Sequence, residues 1–187
     1  MRKPSKIAFA SMLLSASLLA ANAKLSPAKV ALLTKVSQKI AMWGHDPAIV
    51  AAVRAQNAKG VSIAELKKIN ASWSAGGEEQ LAISLLQGPC TERLHQFVSS
   101  GSYTEAFVMD ARGANACMTN RTSYYWRGEM PKFQKAFENG KGAIFIDEPK
   151  YDDSAKARLV QVSVPVMDGT KAIGVLTVGV NADALGN

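Results

Sequence analysis

The apolar residues of this chain change their period once, near Tyr103, and that change constrains the fold more than any short motif does. Before it they recur at three- and four-residue steps, the spacing of one helix face; after it they alternate, the spacing of a strand with one buried side. A chain that is helical first and stranded second has to bury one half against the other, which predicts an α+β domain.

The helical half begins at Ser26-Pro27, an N-cap followed by proline at the first helical position, with Val30, Leu33, Val36, Ile40 and Trp43 on one stripe and Gly44 at its end. Asp46-Pro47 repeats the start signal for a short helix through Ile49, Val50 and Val53, stopped between Asn57 and Gly60. Ser62-Ile63-Ala64-Glu65 has the form of a capping box and opens a third helix to about Trp73. Beyond Gly76-Gly77, Leu81, Leu85 and Leu86 lead a fourth segment that Gly88-Pro89 interrupts and Leu94 and Phe97 resume. Trp43 and Trp73 are expected to pack.

Five strands are expected in the second half. Glu105 to Asp110, the turn Asp110-Ala111-Arg112-Gly113 and Asn115 to Thr119 form a hairpin, and Ala143 to Asp147 is a third strand. Leu159 to Val166, with Val160, Val162, Val164 and Val166 on one face, turns at Met167-Asp168-Gly169-Thr170 into Ala172 to Val180. Neighbours along the chain are expected to run antiparallel, as a tight meander with one long crossover. That crossover holds Thr122-Ser123-Tyr124-Tyr125-Trp126-Arg127-Gly128-Glu129 and a short helix from Pro131 to Asn139. Its aromatic content argues against disorder and for function. In the last strand, Gly174 and Gly179 admit close approach of a packed helix or a ligand. Met109, Met118, Met130 and Met167 are expected to fill the core.

The extreme N-terminus fixes the expected compartment. Arg2, Lys3 and Lys6 precede an uncharged apolar run of about fourteen residues from Ile7 to Ala20, then Ala21-Asn22-Ala23, the three regions of a cleavable export signal. The run is short of the roughly 20 residues that span a bilayer. Residues 1–23 are therefore expected to leave and the remainder to be periplasmic, with no membrane span. Residues 24–100, the helical segment, and 101–187, the sheet, make up one domain. Three basic residues and no acidic ones lie in the signal, so the net charge falls from +7 to +4. The other Lys and Arg are spread among acids, which predicts a mixed solvated surface and no nucleic-acid binding. Cys90 and Cys117, an even count in an oxidising compartment, predict one structural disulfide, with two free thiols as the alternative.

In order and spacing these elements resemble the Cache sensor domains of bacterial receptors, the extracytoplasmic PAS-like, PDC-type family, in its single-domain exported form. The resemblance is carried by Asp46-Pro47-Ala48-Ile49-Val50 with Gln56-Asn57, by Phe107-Val108-Met109-Asp110-Ala111-Arg112-Gly113, and by Thr122-Ser123, Tyr125-Trp126 and Gly128. It continues through Val164-Pro165-Val166 and Ile173-Gly174-Val175-Leu176-Thr177-Val178-Gly179-Val180, and so covers nearly all the chain after the signal. It implies a PAS-like five-stranded antiparallel sheet with N-terminal helices, a ligand held by the insertion and a membrane-bound sensor kinase, chemoreceptor or cyclase as partner, with no cofactor. Relatives of this kind read Thr-Ser-Asp-Tyr-Trp-Gln-Gly-Asp around the aromatic pair, whereas this chain has Tyr124, Arg127 and Glu129 at the changed positions. Exchanging a carboxylate for a phenol and gaining a guanidinium moves the preference from cations toward an anionic or zwitterionic group.

Residue chemistry alone builds the same pocket. A polar metabolite needs apolar walls and a few fixed polar groups. Tyr125 and Trp126 are candidates for the walls, Arg127 for a carboxylate clamp, Asp147 for an ammonium acceptor, and Tyr151 and Asp153 for the rim, with Tyr124 beside them. In the branch of the family that binds amino acids, the resemblance implies similar roles for a Tyr, Trp and Arg cluster with a downstream Asp. The competing arrangement has Tyr125 and Trp126 capping the core and Arg127 paired with Glu129 on the surface.

No nucleophile elbow, phosphate loop, dinucleotide fingerprint or His-Glu-x-x-His is present, and His45 and His95 lie far apart, so neither an enzyme nor a metal site is expected. Two function classes stay open: a periplasmic sensory module that binds an amino acid or carboxylate and reports to a membrane signalling partner, and a ligand-free scaffold protein whose helical half is the binding surface.

Overall fold

A computed structural model describes residues 25–152 and 156–186, so the expected export signal at 1–23 and the candidate Asp153 lie outside the described residues. Helices α1 (Pro27–Trp43), α2 (Pro47–Ala58), α3 (Ile63–Ser74), α4 (Glu79–Leu85) and α5 (Pro89–Val98) come first. Strands β1 (Tyr103–Asp110) and β2 (Asn115–Met118), helix α6 (Pro131–Phe137), and strands β3 (Phe145–Ile146), β4 (Lys150–Asp152), β5 (Ala157–Asp168) and β6 (Lys171–Asn181) follow. The α+β class and the helix-to-strand boundary are as the sequence predicts. None of the described helices is long and apolar enough to cross a membrane.

The helix starts follow the local chemistry. Ser26 Oγ accepts from the Lys29 amide at 3.4 Å, Asp46 Oδ1 from Ala48 at 3.0 Å and Ser62 Oγ from Glu65 at 3.2 Å. Each satisfies an amide that the first turn leaves without a partner. Lys29 also reaches across to the chain after β6, donating to the Ala182 and Asp183 carbonyls at 2.8 Å each.

Two expectations about the sheet need correction. Among the described residues it has six strands rather than five: the predicted third strand is paired only over Phe145–Ile146, and Lys150–Asp152 adds a further strand on β5. It is also no meander, because β1 pairs with β6, giving the order β2-β1-β6-β5-β3, with every pairing antiparallel. β6 is apolar on both sides, so burial between two partners suits it better than an edge.

Alternation on the central strands creates two unlike faces. Ala106, Val108, Val160, Val162, Val164, Val166, Leu176, Val178 and Val180 form one apolar face, covered by Leu33, Ile40 and Trp43 of α1, Ile49 and Val53 of α2, and Leu94 of α5. Trp43 stacks on Phe97 with centroids 4.5 Å apart and meets Tyr103 edge-on at 5.0 Å. The other face presents Phe107, Met109 and Val175 to a second cluster built from Leu66 and Trp73 of α3, Leu85 of α4, Tyr125 and Trp126 of the insertion, and Phe133 of α6. Gly174 serves packing: a Cβ there would lie 2.2 Å from the Met109 carbonyl and 2.8 Å from Val53 of α2.

Cys90 of α5 and Cys117 of β2 form a disulfide, fastening the helical layer to the edge strand across a separation of 27 residues. In the chain-entropy account a loop of that size stabilises by about 3 kcal/mol. The double variant Cys90→Ser with Cys117→Ser is expected to lose about that much in urea unfolding. A loss under 1 kcal/mol would show that the bridge constrains little.

Candidate ligand cleft

Towards Glu105 the second face of the sheet turns polar. The register sets Glu105 of β1 opposite Gly179 of β6, and Gly179 opposite Gln161 of β5; the Asp147 amide then donates to the Gln161 carbonyl at 2.9 Å. Within this row Gln161 Nε2 donates to Glu105 Oε1 at 3.1 Å, and Lys132 Nζ of α6 donates to Gln161 Oε1. One turn inward, the Ser163 and Thr177 hydroxyls meet at 2.9 Å. Gly179 leaves the floor open between Glu105 and Gln161 because it has no side chain to fill it.

Over this floor lie two adjoining hollows that share Glu105, Lys132 and Gln161. The larger, about 360 Å³, includes Asp147, Tyr151 and Gly179; the smaller, about 220 Å³, includes Tyr124, Arg127 and Met130. Met130 therefore lies at the cleft rather than deep in the core.

The insertion reaches this position because several buried polar groups hold its backbone. Asn70 Oδ1 of α3 accepts from both the Tyr125 and Trp126 amides at 3.0 Å, and Trp73 Nε1 donates to the Thr122 carbonyl at 2.7 Å. The Arg127 amide donates to the Gly113 carbonyl at 2.8 Å, and Ala114 and Trp126 form an antiparallel bridge. Gly113, at φ +86°, brings the turn so close that a Cβ would sit 2.5 Å from the Gly128 amide nitrogen. Asn115 of β2 is the junction: its Nδ2 donates to Thr122 Oγ1 at 3.0 Å and to the Tyr124 carbonyl at 3.3 Å, and its Oδ1 accepts from Arg127 Nη1 at 3.1 Å.

Arg127 is 5 % exposed, with its guanidinium 4.4 Å from the Phe107 ring centroid and 6.0 Å from that of Tyr124. Burial pushes its pKa down to about 10, partly offset by the Glu105 carboxylate, so it stays protonated at neutral pH. It does not pair with Glu129, which instead meets Lys67 at 2.8 Å. Lys132 is also held below the usual lysine range, by burial first and then by the charge of Arg127, with Asp147 and Glu105 acting in the opposite sense. Two desolvated cations thus face one cleft, with Glu105 between its two hollows and Asp147 in the larger one.

The sequence candidates separate into two groups. Tyr124, Arg127, Asp147 and Tyr151 lie along the cleft. Tyr125 and Trp126 turn into the second core cluster, as the competing arrangement had them. The Tyr125 hydroxyl accepts from Gln56 Nε2 at 2.9 Å, and Trp126 Nε1 donates to the Arg112 carbonyl at 2.7 Å. Glu105, Lys132 and Gln161 complete the cleft and were missed, as was the hold of Asn70, Trp73 and Asn115 on the insertion. The one available signal was parity: Glu105 and Gln161 are polar positions on the side of the sheet opposite the valines.

Replacing Asn115 by Leu strands Arg127 Nη1 and removes the donor that Thr122 Oγ1 accepts from, while the Thr122 hydroxyl keeps its own bond to the Tyr124 carbonyl. The variant is expected to lose about 2–3 kcal/mol in denaturant unfolding, the cost of a buried charged donor left unpaired. A change under 0.5 kcal/mol would mean that the insertion does not depend on it.

No family model matches the sequence, and no curated protein matches it. Among solved structures the chain is similar to the sensor domain of the Vibrio cholerae histidine kinase DctB, with 16% identity and TM-score 0.47, covering 83% of this chain and 51% of that one. It is similar to the ligand-binding domain of the Pseudomonas aeruginosa PAO1 amino acid chemoreceptor PctC, solved in complex with GABA, with 19% identity and TM-score 0.42, over 64% of this chain and 58% of that one. It is also similar to the sensory domain of the Campylobacter jejuni chemoreceptor Tlp3, solved with isoleucine bound, with 14% identity and TM-score 0.39, over 86% and 66%. The chain therefore spans between half and two thirds of those solved chains. At these TM-scores the likeness carries no weight beyond what the chain's own geometry supplies: helices, then an antiparallel sheet whose second face holds a polar cleft under an insertion.

Proposed function

We propose that the chain is a Cache-type periplasmic sensory module that binds an amino acid or another small carboxylate between the sheet and the insertion, and reports to a membrane-bound signalling partner. One observation carries the reading. Arg127 is a buried, protonated guanidinium fixed through a single nitrogen to Asn115, and no carboxylate among the described residues pairs with it. Burying such a charge is costly unless it is paired, and Lys132 adds a second positive charge beside it. A ligand carboxylate would relieve both, with the two-pronged geometry that arginine offers. Asp147, which lines the larger hollow and not the one with Arg127, suits an ammonium group, which makes a zwitterion the best fit. The wall of Tyr124 and the ordered row beneath it supply orientation. Tightening of the insertion onto the sheet on binding would shift the population that a partner recognises. The organisation is that of a binding domain, and the reading assigns it no chemical turnover.

A thermal-shift screen of amino acids and small carboxylates against the chain from residue 24 tests this. At least one compound is expected to raise the melting temperature in a concentration-dependent way, and Arg127→Ala to abolish the shift. A panel that moves nothing would sink the reading and favour the scaffold alternative. The pH dependence has a defined sign. Because burial first, and then the charge of Arg127, hold Lys132 below the ordinary lysine range, its charge is lost at lower pH than an ordinary lysine's as pH rises through that depressed pKa. Affinity for a carboxylate is therefore expected to fall on the alkaline side as Lys132 and then Arg127 lose their protons, and Lys132→Met to remove the Lys132 part of that limb and leave the part that Arg127 contributes in calorimetric titrations; an unchanged limb would show that Lys132 does not face the ligand.

A further inference from the structure

Behind the segment that carries Arg127 lies a second hollow, of about 460 Å³, that the cleft does not use. Its walls include Ile63, Trp126, Phe133 and Phe137, with Arg112 and Asn139 at the mouth. Phe133 and Phe137 stack on one another, 14° from parallel with centroids at 5.3 Å, and form one wall. Arg112 is fixed there from two directions. Its Nη1 donates to the Val61 carbonyl at 3.0 Å, and its own carbonyl accepts from Trp126 Nε1 at 2.7 Å. Asp110, whose charge acts on Arg112, spends its Oδ1 on the Arg112 and Ala114 amides rather than on the guanidinium. Asn139, at φ +53° just past the end of α6, lies at the mouth.

We propose that this hollow is a second small-molecule site, for a planar aromatic carboxylate of about one ring. Its volume lies in the range of small-ligand pockets, its walls are aromatic and apolar, and its fixed charge is one guanidinium at the mouth. Both the ring and the acid of such a ligand are accommodated: the ring against Phe133, Phe137 and Trp126, and the carboxylate at Arg112. The position also links the two sites. Trp126 is in an antiparallel bridge with Ala114, so Trp126 and its neighbour Arg127 point to opposite sides of an extended segment. Likewise Lys132 reaches the cleft while Phe133 and Gln134 face the hollow. Occupancy of the second site thus bears on the two segments that hold the cations of the first.

The binding claim stands independently of the ligand reading for the first cleft, and the experiment keeps them apart. Benzoate is titrated into the ¹⁵N-labelled chain from residue 24, and the Trp126 Nε1–H resonance is followed by NMR, with benzyl alcohol as the neutral analogue. Saturable movement is expected with benzoate at about tenfold lower concentration than with benzyl alcohol, the margin of a charge-assisted contact. Arg127→Gln is expected to preserve that movement, whereas Ala111→Leu, which fills the hollow, abolishes it. Absence of saturable movement, its survival in Ala111→Leu, or its loss in Arg127→Gln would each overturn the proposal, the last by placing benzoate in the first cleft. Should Ala111→Leu fail to fold, the exposed Arg112→Gln decides: loss of the preference for benzoate over the alcohol supports the site, and retention overturns it.

Discussion

Everything in this molecule hangs on the pairing of β6 between β1 and β5 with a strict alternation of side chains. The even-numbered positions from 106 to 108, 160 to 166 and 176 to 180 are all valine, leucine or alanine, and the helices α1, α2 and α5 seal them. That layer buries apolar area along the whole length of one face. The odd-numbered positions are then free to differ along their length. Around Phe107, Met109 and Val175 they are apolar, and the second cluster closes over them; around Glu105, Gln161 and Gly179 they are polar or empty. The cleft is the part of the second face that the covering elements leave open.

The roof of the cleft is held in place by buried polar groups. Asn70 and Trp73 arrive from α3, and Asn115 from β2; between them they hold the backbone of Thr122, Tyr124, Tyr125 and Trp126. A buried polar network of this kind is stabilising only when its members are satisfied, and among the described residues no buried side-chain nitrogen or oxygen lacks a partner. Arg127 is thus presented by a frame that does not have to form when something binds, which is how small sites avoid the entropic cost of ordering a loop.

The sequence made the outline of the fold readable because its signals are local. Ser26-Pro27, Asp46-Pro47 and Ser62 cap the helices they were expected to cap, and the valines of β5 share the face that their parity demands. Strand order was not local: nothing in residues 103–110 says that their second partner lies at 174–180 rather than at 145, since that choice depends on which strand is apolar on both sides. The candidate site divides along the same line. Arg127 announced itself by its charge within an aromatic run, but Tyr125 and Trp126 in that run both pack into the core, with the Tyr125 hydroxyl held by Gln56 and the Trp126 indole by the Arg112 carbonyl, partners that lie far away in sequence. Lys132, Glu105 and Gln161 come from three separate elements and look, one at a time, like surface residues.

The amide of Gln161 has a consequence of its own. It accepts from an ammonium at one end and donates to a carboxylate at the other, so its two ends are not interchangeable: its direction is fixed by Lys132 and Glu105 together. It is a neutral spacer with a polarity. A glutamate of equal length would place two anions side by side and invert the electrical balance of the floor, while the roof above, held by other residues, would keep its shape. Charge and geometry are therefore written in separate layers of this domain, and one side chain on β5 is enough to retune the first without disturbing the second.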